Sequence, residues 1–179
     1  ITLKNGGNIM LDSKVAALLN NQVNKEFYSA YLYLDIANYY IDEGLEGFGN
    51  WYTIQTQEER DHALLFMEYL QNNGEKVVLE TIEAPGAKFE NYKQPLEVSA
   101  KHERYVTSLI NDIYAAAAEV KDFRTMQFLD WFIKEQGEEE KNADDMVRRF
   151  ELFGGEAKNL YSIDNDLGAR TYSAPSLVL

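Results

Sequence analysis

Apolar residues recur three and four positions apart along four long stretches of the chain, the spacing of amphipathic helices. The first stripe reads Leu19, Val23, Glu26, Ala30, Tyr33, Ala37, Tyr40, and the second Tyr52, Gln55, Glu59, His62, Phe66, Tyr69. The third is Leu96, Ser99, Glu103, Val106, Ile110, Ile113, Ala117, and the fourth Leu129, Phe132, Gln136, Glu139, Ala143, Met146, Phe150. Each stripe carries ionisable or amide groups where only greasy side chains are expected. Residues so spaced share one face, so these groups point into a bundle.

Boundaries come from local chemistry. Asp12 or Ser13 is a fair N-cap for a helix running to about Tyr40, and Asp42-Glu43-Gly44-Leu45-Glu46-Gly47 reads as a tight connection. The second helix runs from about Phe48 to Asn73 and stops at Gly74, a residue suited to a left-handed C-terminal position. Pro85 and Gly86 break any helix in the segment Glu75 to Gln94, in which Val77-Val78-Leu79 is a short extended apolar run. A linker of this size spans a whole helix, so the third helix runs parallel to the second. Pro95 opens that helix, which lasts to about Val120. Lys121-Asp122 forms a turn, and the fourth helix ends at Gly154-Gly155. A fifth, short helix is predicted between Glu156 and Gly168. The fold class is all-α: a four-helix bundle with one long crossover between the second and third helices and a short fifth C-terminal helix. Residues 10–168 form the domain, 1–9 an N-terminal extension or remnant before a possible start at Met10, and 169–179 a tail.

Composition narrows the chemistry. The 179 residues are 45% hydrophobic and 13% aromatic, enough for one well-packed core. A formal net charge of -13 argues against a nucleic-acid partner, which needs a basic surface. With no cysteine, thiolate metal sites and disulfides are excluded, so any metal is held by oxygen and imidazole. No stretch matches the roughly 20 apolar residues of a membrane span, and the first residues lack the apolar run of a secretory signal. Cytoplasmic residence is the expectation.

An unpaired carboxylate inside a bundle costs roughly several kcal/mol even after relaxation. Glu26, Glu59, Glu103 and Glu139 together need neutralising, and two divalent cations balance four carboxylates. On its own, Glu59-x-x-His62 fits a solvated charge run as well as a ligand pair. His102 falls on a different face from Glu103 and is expected at the surface. What decides is the conjunction: helix after helix places an oxygen or nitrogen donor mid-helix on the buried stripe. Carboxylate-bridged di-metal bundles draw one Glu from each of two helices and Glu-x-x-His from the others. The fourth helix departs from that plan, with Gln136-x-x-Glu139 in place of a second Glu-x-x-His.

Four segments carry a family resemblance: Asn24-Lys25-Glu26-Phe27-Tyr28-Ser29, Glu58-Glu59-Arg60-Asp61-His62-Ala63, Lys101-His102-Glu103, and Trp131 through Glu140. From about Met10 to Gly168 the chain resembles the non-haem ferritins of the bacterial and archaeal type. The resemblance implies a first iron site on Glu26, Glu59 and His62, and a second on Glu59 as bridge with Glu103 and Glu139, Gln136 close by. It implies a third iron site on Glu58, Glu135, Glu138 and Glu139, and places Tyr33 beside the di-iron centre. The helical period supports Tyr33 independently, because it lies seven residues after Glu26. A haem-ligating Met, which bacterioferritins carry after the Glu of the second-helix motif, is replaced here by Arg60, so no haem is expected. Gly137 stands where bacterial ferritins often carry His. Animal ferritins' three-fold-channel carboxylates fall on Met126 and Leu129, which predicts an apolar pore.

The implied function is iron storage with ferroxidase activity: Fe(II) is oxidised by dioxygen or hydrogen peroxide and deposited as ferric oxide within a homo-oligomeric shell of twenty-four subunits. Tyr28, Tyr31 and Tyr39, off the inner stripe, are candidates for subunit contacts. A di-iron peroxidase or oxidase that stores nothing is the alternative from another class. The extra carboxylates Glu58, Glu135 and Glu138 discriminate, since a third site feeding a cavity serves storage. An acidic interaction scaffold leaves the buried carboxylates unexplained.

Overall fold

The computed structural model describes residues 11–86 and 88–179; the expectations for residues 1–10 lie outside them. Among the described residues five helices succeed one another: α1 (Ser13–Asp42), α2 (Glu46–Asn72), α3 (Gln94–Glu119), α4 (Phe123–Phe153) and α5 (Ala157–Gly168). Asp12 caps α1 by accepting from the Lys14 and Val15 amides, and Asp122 caps α4 by accepting from Thr125. Such caps satisfy donors that a helix start leaves unpaired. Gly74 ends α2 at φ 78°, and Lys121 takes φ 58° in the α3–α4 turn.

The bundle's directions can be read from cross-helix bonds. Lys14 pairs with Glu119, Ser29 meets His102, and Tyr40 donates to the Tyr92 carbonyl just before α3. These contacts run in opposite order along the two helices, so α3 is antiparallel to α1 and parallel to α2. The crossover is strapped down by Asn20 and Asn24, one helical turn apart on α1. Asn20 accepts from the Val78 amide and Asn24 from the Glu80 amide, both at 2.8 Å, and both side chains donate to the Val78 carbonyl. Val77-Val78-Leu79 is therefore extended without being a strand: Val77 packs on the core, while Val78 and Leu79 are exposed.

α2 begins two residues before the expected Phe48. Its start is fixed by α5, whose Asp164 side chain accepts from the Phe48 amide at 3.0 Å. A Cβ at Gly47 would lie 1.6 Å from the Asp164 carbonyl oxygen, so only glycine permits this approach. The C-terminal tail is docked on the bundle. Tyr172 donates to Asp61, Trp131 donates to Ser176 at 3.0 Å, and Leu177 packs against the core.

The apolar core divides in two. One half gathers Val15, Leu19, Val23, Phe66, Ile110, Phe128, Leu129 and Phe132; the other gathers Tyr33, Ile36, Tyr40, Phe48, Tyr52, Leu96 and Met146. Each buried Phe or Leu contributes about 1.5–3 kcal/mol relative to exposure, which holds the polar groups between the two halves in place. Leu129 is wholly buried beside the phenylalanines and Met126 packs on the same cluster, so the expected apolar pore finds no exposed Leu129 to line it.

Candidate metal centre

Between the two core halves lies a buried polar layer: Glu26 from α1, Glu59 and His62 from α2, Glu103 from α3, and Gln136 and Glu139 from α4. All six are less than 9% exposed; the carboxylates range from 1% at Glu26 to 7% at Glu139. Among the described residues, Glu26, Glu59 and His62 can hold a metal together, with one ligand atom from each lying within 4.8 Å of the others. His62 Nδ1 is 3.6 Å from Glu59 Oε2. The ring is wedged edge-on against Trp131 and Phe132, which fixes its plane.

The remaining predicted ligands are at the same depth but turned to neutral partners. Glu103 accepts from the Tyr33 hydroxyl and, at 3.2 Å, from the Gln136 amide. Gln136 also donates to the Glu103 carbonyl and to Thr107, both at 3.3 Å. Glu139 accepts from Gln55 at 2.8 Å. Glu103 and Glu139 thus flank the cluster without joining it.

Two glutamines to which the helical stripes assign no role complete the layer. Gln22 donates to Glu26 Oε1 at 2.7 Å, and Gln55 donates to Glu59 Oε1 at 3.2 Å. Both fit Gln-x-x-x-Glu, one helical turn, and that repeated spacing on α1 and α2 is the signal that could have found them. Glu26 Oε2 and Gln22 Oε1 are buried without a hydrogen-bond partner. Leaving such an acceptor unmatched is unfavourable, and a cation is the partner that a carboxylate oxygen beside another carboxylate and an imidazole would accept.

Electrostatics reflect this crowding. Burial, then the charge of Glu59, pushes the Glu26 carboxyl up to about 8. The same two causes push Glu139 up to about 8 and hold Glu103 well above the ordinary carboxylate range. At Glu59 burial acts upward, but His62, Glu26 and Gln55 outweigh it and hold the group below its ordinary value. Burial alone would lower His62; hydrogen bonding to Glu59, with the charges of Glu59, Glu26 and Glu139, drives the ring up to about 10. The metal-free cluster is thus balanced by protons rather than left as bare charges.

The expected third-site residues are not gathered into one cluster. Glu58 is half-buried and paired with Arg170 at 2.6 Å, Glu135 is half-buried, and Glu138 is exposed at 3.5 Å from Lys134. His102 also departs from expectation. It is half-buried between α1 and α3, with Nε2 at 2.8 Å from Ser29 Oγ and its ring among Tyr28, Tyr33 and Tyr105. Tyr28 packs there and Tyr39 packs on Tyr40, Phe89 and Tyr92, so of the three outer tyrosines only Tyr31 is left exposed. Nothing lies within 4 Å of a Cβ built on Gly137, and the structure offers no reason for a glycine there.

Comparison with known proteins identifies the family. Residues 16–153 match the ferritin-like domain family. The chain is 36% identical over 159 residues to a probable bacterial non-heme ferritin-like protein of Haemophilus influenzae, covering 89% of this chain and 96% of that one. It is 34% identical over 155 residues to a bacterial non-heme ferritin of Campylobacter jejuni, covering 87% and 93%. An open-pore ferritin from Archaeoglobus fulgidus superposes with a TM-score of 0.88 at 37% identity, covering 90% of this chain and 98% of that one. Sequence and fold agree, and the chain belongs to the ferritin family.

Proposed function

We propose that this protein stores iron, oxidising Fe(II) at a di-iron ferroxidase centre within each subunit and depositing ferric oxide inside a homo-oligomeric shell. The observation that carries the reading is the unpartnered buried oxygen of Glu26 in a cluster whose donor atoms lie within 4.8 Å. Iron is the substrate. The first ion is taken by Glu26, Glu59 and His62; the second by Glu59 as bridge, Glu103 and Glu139, with Gln136 orienting Glu103.

Carboxylates are hard donors that favour ferric over ferrous iron, which lowers the barrier to losing an electron. Each ferrous ion gives up one electron. The pair reduces dioxygen to hydrogen peroxide with two protons, or hydrogen peroxide to two waters with two protons. His62 must release its proton before Nδ1 can act as a ligand, and the neutral carboxyls of Glu26, Glu103 and Glu139 release theirs as metal replaces them. Tyr33 donates its hydroxyl to Glu103, a ligand of the second position in this reading. No haem is needed, and Arg60 is exposed and paired with Asp61. A third, weaker iron position on Glu58, Glu135, Glu138 and Glu139 belongs to the same proposal.

An exposed apolar strip of Tyr31 and Leu34 on α1 with Ile82 of the crossover is the face assigned to subunit contacts in a shell of twenty-four. No described helix is long and apolar enough to cross a membrane, and a cytoplasmic setting is proposed with the storage role. Stopped-flow mixing of the assembled protein with Fe(II) and dioxygen tests the reading. Rapid oxidation saturating at two irons per chain, with mineral cores later visible by electron microscopy, is expected. Oxidation no faster than in buffer would overturn it.

A further inference from the structure

The C-terminal segment sends Arg170 back onto α2, beside the metal layer. Its guanidinium lies over the Trp51 ring at 4.1 Å from the centroid. Nη2 donates to Glu58 at 2.6 Å, while Nη1 donates to Gln55 Oε1 at 3.0 Å and to the Trp51 carbonyl at 3.3 Å. Arg170 and Glu58 are both largely enclosed, at 17% and 18% side-chain exposure. Asn50 holds the segment in register by donating to the carbonyls of Leu167 and Arg170.

An amide side chain can face either way unless its environment decides. At Gln55 the decision comes from Arg170. A guanidinium carries only donors, so it accepts nothing from an NH2 group and must face the amide oxygen. With Oε1 held there, Nε2 faces inward and reaches Glu59 and Glu139 at 3.2 and 2.8 Å. Rotated by half a turn, Gln55 would set its oxygen against two carboxylates.

We propose that Arg170 is a positioning residue for the metal centre, acting through Gln55 to hold the Glu59 and Glu139 carboxylates in place for the two irons. The inference rests on the di-iron reading of the buried layer. Arg170 touches neither of the two iron positions; it reaches them by the chain Arg170, Gln55, Glu59 and Glu139. Deleting an outer partner of metal ligands typically lowers metal affinity about 10- to 100-fold.

The test uses the full-length assembled protein and zinc, a redox-inert probe, by calorimetry. Wild type, R170M, Q55L and the double variant R170M/Q55L are compared. R170M keeps an unbranched stem over Trp51 and removes the fork. Expected are a roughly 10-fold loss of affinity in R170M, a similar loss in Q55L, and no further loss in the double variant, the non-additivity of residues acting in one chain. Losses that add in the double variant show that Arg170 acts on docking of the segment alone and overturn the proposal. So does wild-type affinity in R170M. Should R170M not assemble, R170Q reads the same quantity, and wild-type affinity there has the same force. A wild-type protein that binds no zinc at this layer refutes the di-iron reading itself, before the variants are compared.

Discussion

Gln22 donates to Glu26 Oε1 at 2.7 Å, one helical turn earlier on α1, and leaves Glu26 Oε2 buried and unpartnered in the cluster with Glu59 and His62. One oxygen is anchored and the other is presented. This arrangement holds a ligand ready at little reorganisation, and it extends to Glu59 through Gln55.

The bridge is the most sensitive residue. In the proposed centre Glu59 is common to both iron positions, so Glu59→Ala is expected to slow initial oxidation by more than the roughly 100-fold upper range for outer partners. Its fold should survive, because His62, whose ring is raised chiefly by Glu59, can give up its proton when that partner is removed, leaving no bare charge behind. Stopped-flow oxidation beside circular dichroism checks both halves; an unchanged initial rate contradicts the assignment.

Stability of the metal-free protein should depend on pH in a definite direction. Glu26 and Glu139 are raised from 4.5 to about 8, and His62 from 6.5 to about 10. In that window the folded state binds more protons than the unfolded chain. The stabilisation is complete below pH 4.5 for the carboxyls and below 6.5 for the imidazole, and it is lost as pH rises through about 8 and then about 10. Glu59, held low, acts in the opposite sense but only below 4.5. Melting temperature without metal should therefore fall from about pH 5 to about pH 9, while stabilisation by added zinc grows over the same range. Differential scanning calorimetry at several pH values reads both trends.

Gly137 is an exposed glycine inside α4 with open space at its Cβ position. Gly137→Ala should stabilise the protein by about 1 kcal/mol through helix propensity. Denaturant melts of the unassembled subunit or thermal melts of the shell check it, with initial iron oxidation expected to stay at the wild-type rate.

Glu138 is exposed beside Lys134. Glu138→Ala is expected to keep rapid oxidation of the first two irons and to change the later stages, read as oxygen consumed per iron or as growth of mineral. Wild-type behaviour in both reduces the third position to an acidic cluster on a solvated face.

The four long helices were legible because their stripes are periodic and their ends carry strong signals: Asp12, Gly74, Asp122, Gly154. The ligand layer was legible because Glu26, Glu59, Glu103 and Glu139 break those stripes at one depth. What escaped was non-local. Asn20 and Asn24 read as ordinary polar positions until the crossover lies across them, and Arg170 reads as part of a tail until α5 turns it back onto Gln55 and Glu58. Helical phase puts His102 off the inner stripe of α3, yet α1 covers that neighbouring face through Ser29. Spacing gives the face of a single helix; which neighbour covers it depends on the tertiary arrangement.

The most direct measurement is anomalous diffraction at the iron edge from crystals soaked with Fe(II) without oxygen. Two peaks per subunit are expected, one bounded by Glu26, Glu59 and His62, the other by Glu59, Glu103 and Glu139. Iron found only on exposed carboxylates, with the buried layer empty, would contradict a ferroxidase centre in this bundle.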